Sequence, residues 1–149
     1  MSNLAESLKE LNGYFIEDLK VGMSAVFGKT ITEGDILLYA GVSGDTNPVH
    51  INHEYAANTM FKGRIAHGML TAGLISALLG TKLPGPGCIY MSQNLKFKAP
   101  VKIGDTVMAR ATITDIVVEK KRVTLKTVCT VGETVVLDGE AVLMVPARG

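Results

Sequence analysis

The sequence has no tryptophan, only two cysteines and three histidines in 149 residues, and an aromatic share of 5%. Cys88 and Cys129 each stand alone in apolar surroundings. Two isolated cysteines do not make a disulfide scaffold, and neither has metal-binding spacing, so they read as reduced, buried thiols of a cytosolic protein. An excess of charge is missing too. Fifteen Lys and Arg face fourteen Asp and Glu, for a net charge of +1, and nothing here suggests a broad nucleic-acid footprint, which would need a basic stripe. The opening MSNLAESLKELNGYF lacks the basic end, apolar run and small-residue cleavage site of a signal peptide. The most apolar run, Ile65 to Leu79, is about 15 residues, short of the roughly 20 that a membrane span needs. It reads as a buried helix. What is present is a 47% apolar chain, long enough for one domain with a real core.

The pattern is asymmetric. VGMSAVFGKTI (residues 21–31) reads as a first strand. Thr32 caps a helix, with Glu33 and Asp35 in its first turn, that stops near Gly44. A loop follows, and Asn52 caps a second short helix. The apolar helix, His67 to Thr81, ends at Leu83-Pro84-Gly85-Pro86-Gly87. Beyond it the chain alternates over residues 90–97, 106–117, 123–131 and 134–145, with turn residues between. Residues 1–13 read as a flexible or helical extension. A helix apolar on every side needs cover on every side. A curved antiparallel sheet wrapped around it supplies that, giving an α+β domain.

The loop SGDTNPVH holds a carboxylate, Asp45, five residues before an imidazole, His50. Pro48 fixes its own backbone and pushes Asn47 towards extended geometry, so these two residues shape and stiffen the loop. An acid and an imidazole that converge on one water make a general acid–base pair. The plainer alternative is a capped turn in which Asp45 and Asn47 bond nearby amides. His50 and His53 form H-x-x-H, but no further ligand cluster accompanies them, and no metal is expected. His67 heads a different helix and receives no catalytic role. Gly68 opens that helix, whose free N–H groups form a positive site where a carbonyl oxygen can gain charge; close packing is the alternative. Ser76 lies eight residues on, on roughly the same face; it either faces the active loop or bonds back to a helix carbonyl. Lys62, Arg64 and Lys98 are either solvated cations or contacts for the phosphates of a large cofactor handle.

Together these stretches resemble a known family. Tyr39 to His50 (YAGVSGDTNPVH), with Ala56 beyond it, is similar to the signature of the MaoC-like, (R)-specific enoyl-CoA hydratases of type two. The later GRIAHG (residues 63–68), FKAPV (97–101) and Gly104-Asp105 match in order, and the resemblance runs from about Tyr14 to Val145. It implies a hot-dog fold, a long helix wrapped by a curved antiparallel sheet, with residues 32–64 as an overhang of short helices. It also implies a homodimer that pairs sheets edge to edge, which covers an exposed edge strand. Asp45 and His50 become the catalytic dyad, Gly68 the N–H donor to the thioester carbonyl, and Ser76 a supporting residue. The implied reaction adds water to a trans-2-enoyl-CoA and yields a (3R)-hydroxyacyl-CoA. It needs no cofactor, since CoA is part of the substrate, and no nucleic-acid or membrane partner. Rival readings are an acyl-carrier-protein dehydratase, an acyl-CoA thioesterase and a non-catalytic acyl-CoA-binding subunit.

Overall fold

The structure, a computed structural model, describes residues 2–149. The chain opens with an exposed helix α1 (Ser2–Lys9) and a 3-10 turn (Ile16–Asp18). Between them the Gly13 N–H donates to the Pro86 carbonyl and the Tyr14 N–H to the Pro84 carbonyl, both at 2.8 Å. A side chain at position 13 would meet the Pro84 carbonyl oxygen at 2.3 Å. Glycine is what allows the two backbones to touch there.

Strand β1 (Ser24–Thr30) leads into α2 (Glu33–Ser43). The expected start at Thr32 is a reciprocal cap: the Thr32 hydroxyl accepts the Asp35 N–H at 3.1 Å, and the Asp35 carboxylate accepts the Thr32 N–H at 2.9 Å. Gly44 ends α2 in the left-handed region at φ 81°. Two short helices follow, α3 (Pro48–Ile51) and α4 (His53–Ala57), and then the long α5 (Gly68–Thr81). The sequence pattern treats residues 43–50 as loop throughout. Its second half is instead a helical turn, because Asn47 caps it and Pro48 occupies the first helical position, where a missing N–H costs nothing.

The remaining strands are β2 (Ile89–Gln93), β3 (Lys96–Phe97), β4 (Thr106–Val117), β5 (Arg122–Val131) and β6 (Thr134–Met144). They form one antiparallel sheet ordered β1-β4-β5-β6-β2, with β3 also on β6. The single strand expected over residues 90–97 is broken. Asn94 turns in to bond Glu140 through both its backbone and its side chain. A β-carbon on Gly139 would sit 1.9 Å from the Asn94 carbonyl oxygen, so the break is built around that glycine.

The sheet curves over α5, as the hot-dog resemblance implies. Alternation in β4 and β5 aims Val107, Ile113, Val123 and Leu125 inward, where they join Leu74, Ile75, Leu78 and Leu79 of the helix in one core. Small side chains at Ala109, Ala111 and Ala141 leave the inner face room for the helix. Leu78 is fully buried. Its truncation to Ala is expected to destabilise the fold by about 2–5 kcal/mol, measured by urea unfolding; a loss near zero would contradict this core assignment. Within one chain the sheet covers α5 on one side only. Met69 is 53% exposed, and Gly73 and Ser76 are exposed as well, so one stripe of α5 is bare. A single sheet can wrap only the face turned towards it.

Candidate active site

A cavity of about 570 Å³ opens beside the N-terminus of α5. Asp45, His50, His67 and Gly68 line it together with apolar side chains that include Phe61 and Phe97. The local bonds explain how an exposed loop holds a fixed shape. The Ser43 hydroxyl donates to the Tyr39 carbonyl at 2.6 Å and accepts the Asp45 N–H at 3.0 Å. One carboxylate oxygen of Asp45 accepts the Asn47 N–H at 3.2 Å, and the Asn47 side chain accepts the Val49 N–H at 3.1 Å. The capped-turn alternative therefore describes the loop correctly. It does not exclude chemistry, since the other Asp45 oxygen accepts no bond among the described residues.

His50 is 8% exposed. Its Nδ1 lies 2.8 Å from the Ile65 carbonyl oxygen. A carbonyl only accepts, so the proton sits on Nδ1 and Nε2 is left as the basic atom. Residues 64–66 hold this arrangement against the sheet side of the domain. The Ile65 N–H donates to Val49, the Ala66 N–H donates to Val101 at 2.7 Å, and Ile65 bridges Lys102.

His67 was not expected here. Sequence spacing gives it a separate helix, but the fold brings its ring against His50, centroids 3.9 Å apart and planes at 30°. Donor atoms of Asp45, His50 and His67 lie within 4.8 Å of one another. The sequence signals for His67 are its place next to Gly68 and its membership of the matching GRIAHG stretch.

Gly68 stands at the first position of α5, and its N–H precedes the first bond of the helix ladder. The N–H groups of Leu70 and Thr71 turn back to the His67 carbonyl. A β-carbon at position 68 would lie 2.6 Å from the ring of Phe97, so glycine lets that ring cover the helix end. The other sequence candidates separate. Ser76 is on the bare stripe of α5 and does not line the cavity. Arg64 is turned into the protein: Nε donates to the His50 carbonyl at 2.6 Å, Nη1 pairs with Glu33 at 2.8 Å, and its side chain is 13% exposed. These bonds make it a tie between α2 and α3, while its Nη2 is buried without a hydrogen-bond partner among the described residues. Lys98 borders the cavity, 3.5 Å from Asp138, and Lys62 is exposed on the turn after α4.

Neither cysteine lines the cavity. Burial pushes the Cys129 thiol up to about 12 and also raises Cys88. A raised pKa makes the reactive thiolate scarcer at a given pH. At pH 8 an aromatic disulfide reagent is expected to leave Cys129 untouched in the native protein and to modify both thiols after denaturation. Fast native modification of both would contradict this burial.

The fold and the cavity define a hot-dog subunit with an acid and an imidazole facing the end of its central helix. The chain belongs to the MaoC-like family: residues 19–136 match the MaoC like domain. It is 62% identical to an (R)-specific enoyl-CoA hydratase of Rhodospirillum rubrum over 96% of this chain and 99% of that one. It is 48% identical to a 3-hydroxybutyryl-CoA dehydratase of Methylorubrum extorquens, over 95% and 90%. The unliganded R-hydratase PhaJ1 of Pseudomonas aeruginosa superposes with a TM-score of 0.86 at 43% identity, covering 91% of this chain and 88% of the other.

Proposed function

We propose that this protein is a hydro-lyase that adds water reversibly to trans-2-enoyl-CoA and forms (3R)-hydroxyacyl-CoA. The observation that carries the reading is the convergence of Asp45, His50 and the N-terminal residue of α5 on one cavity. A carboxylate oxygen of Asp45 and a ring nitrogen of His50 lie within 4.8 Å. One water with two hydrogen bonds of about 2.8 Å spans roughly 4.6 Å at its tetrahedral angle.

Such a water donates to Asp45 and to Nε2 of His50, which leaves an oxygen lone pair for the β-carbon. Its proton passes to the dyad, with Asp45 as base and His50 orienting and shuttling, and a proton returns from the dyad to the α-carbon. The pair acts as one coupled unit. Both additions occur from one face and are syn. Negative charge that builds on the thioester oxygen meets the Gly68 N–H at the positive helix end, an interaction that strengthens only towards the transition state. Asn47 and Pro48 keep the loop in shape. Neither a metal nor a redox cofactor enters this reaction, and CoA arrives with the substrate. Lys62 and Lys98 take its phosphates.

A homodimer accompanies this reading. The bare stripe of α5 at Met69, Gly73 and Ser76, and the exposed apolar side chains of edge strand β2 at Ile89 and Met91, suit a second copy. Ser76 takes its supporting role only from that interface. Light scattering after size exclusion checks it, and a monomer at working concentration would count against it. No helix among the described residues is long and apolar enough to cross a membrane; the reduced thiols suit a cytoplasmic setting.

The test is hydration of crotonyl-CoA and longer enoyl-CoAs without added cofactor, followed by loss of enoyl absorbance, with chiral analysis of the product. Turnover to the 3R isomer is expected. No turnover at any chain length, or a 3S product, would overturn the reading, and release of free CoA would indicate a thioesterase.

A further inference from the structure

His67 has no part in the reaction just described, yet its surroundings are unusual for a packing residue. It is 2% exposed. Its Nε2 lies 2.9 Å from the Asp45 backbone carbonyl oxygen, which fixes the proton on Nε2. Its Nδ1 is then a bare acceptor, and it is buried without a hydrogen-bond partner among the described residues. One ring contact is the stack on His50, and the Tyr39 ring packs at 4.6 Å. A side chain chosen for stability alone would be apolar here, because a buried unpaired acceptor is destabilising. What the imidazole supplies that an apolar chain cannot is the Nε2–H bond to Asp45.

That bond joins two places 22 residues apart. His67 is the residue before Gly68, and its carbonyl takes the first two N–H groups of the α5 ladder. Its backbone is thus part of the helix end, while its side chain grips the backbone of the acid and its ring face meets the imidazole. We propose that His67 is a positioning residue: it fixes the Asp45 carboxylate and the His50 ring relative to the Gly68 N–H. The inference rests on the hydratase reading. The distance between the water held by the dyad and the oxyanion donor decides whether the β-carbon and the thioester oxygen are served together. A misplacement of about 1 Å in such a constellation can cost about 10²-fold in rate.

The experiment compares His67→Gln, His67→Asn and His67→Leu in the full-length protein, with kcat and KM for crotonyl-CoA. Gln places an N–H donor near the position of Nε2. Asn places its donor near Nδ1, too short to reach Asp45. Leu fills the space and has no donor. The expected result is that Leu and Asn lose at least about tenfold in kcat with KM changed little, while Gln recovers most of kcat. Leu is also expected to melt no lower than wild type, because it removes the unpaired acceptor. If Leu fails to fold, judged by circular dichroism, the Gln and Asn pair decides. Equal kcat for Gln and Asn, or wild-type kcat in folded Leu, would overturn the proposal. An inert wild-type enzyme would instead overturn the hydratase reading, so the two failures are distinct.

Discussion

Replacing Asp45 by Asn is expected to lower kcat for enoyl-CoA hydration by about 10²–10⁴-fold, the usual contribution of a positioned acid–base group. The substitution is clean for a local reason. The loop depends on one side-chain oxygen at position 45, which accepts the Asn47 N–H. An asparagine carbonyl can accept the same bond, and the His67 contact is made to the backbone of residue 45, not to its side chain. Stability and cavity shape should therefore persist while the proton acceptor disappears. Thermal unfolding within a degree or two of wild type would confirm that the fold is intact. Activity retained in a folded Asn variant would remove Asp45 from the chemistry and leave it with the capped turn alone.

The second large effect concerns the Gly68 N–H, and the structure suggests a way to delete one backbone donor. Proline is favoured at the first position of a helix, where its missing N–H breaks no ladder bond. The residue before a proline must be extended, and His67 already is, at φ −57° and ψ 135°. The obstacle is Phe97, whose ring occupies the space of any side chain at position 68. Phe97 is 55% exposed, so its truncation to Ala leaves the core in place. In a Phe97→Ala background, Gly68→Pro is expected to reduce kcat by about 10²–10³-fold, as loss of one oxyanion donor does. Gly68→Ala in the same background keeps the N–H and should stay close to the Phe97→Ala parent. Equal losses in the Pro and Ala variants would mean that bulk, not hydrogen bonding, limits position 68.

The expected behaviour of these variants draws on residues that were unequally legible in the chain. Helix and strand identities came through where a local rule was strong: the Thr32–Asp35 reciprocal cap, the Gly44 stop, and the alternation of β4, β5 and β6. The break at Asn94 was not legible, because its cause is a glycine at 139 on another strand. Asp45 and His50 were visible as a pair because both lie in one short loop, and only the wider pattern of matching stretches turned that loop from a capped turn into a catalytic candidate. Arg64 illustrates the converse. Its charge suggested a phosphate contact, but charge alone does not say where a long side chain points, and the fold directs it to Glu33 and the His50 carbonyl.

By itself the sequence determined most of the helices and strands, that one apolar helix must be covered by a sheet, and that an acid and a histidine share a short stiffened segment. Those are consequences of spacing, capping and side-chain chemistry, which act over a few residues. The tertiary structure alone decided three things. It brought His67 from the head of α5 onto His50 and Asp45, it set the Phe97 ring over Gly68, and it left one stripe of α5 bare. Each depends on contacts between residues distant along the chain, and such contacts are fixed only when the sheet closes over the helix.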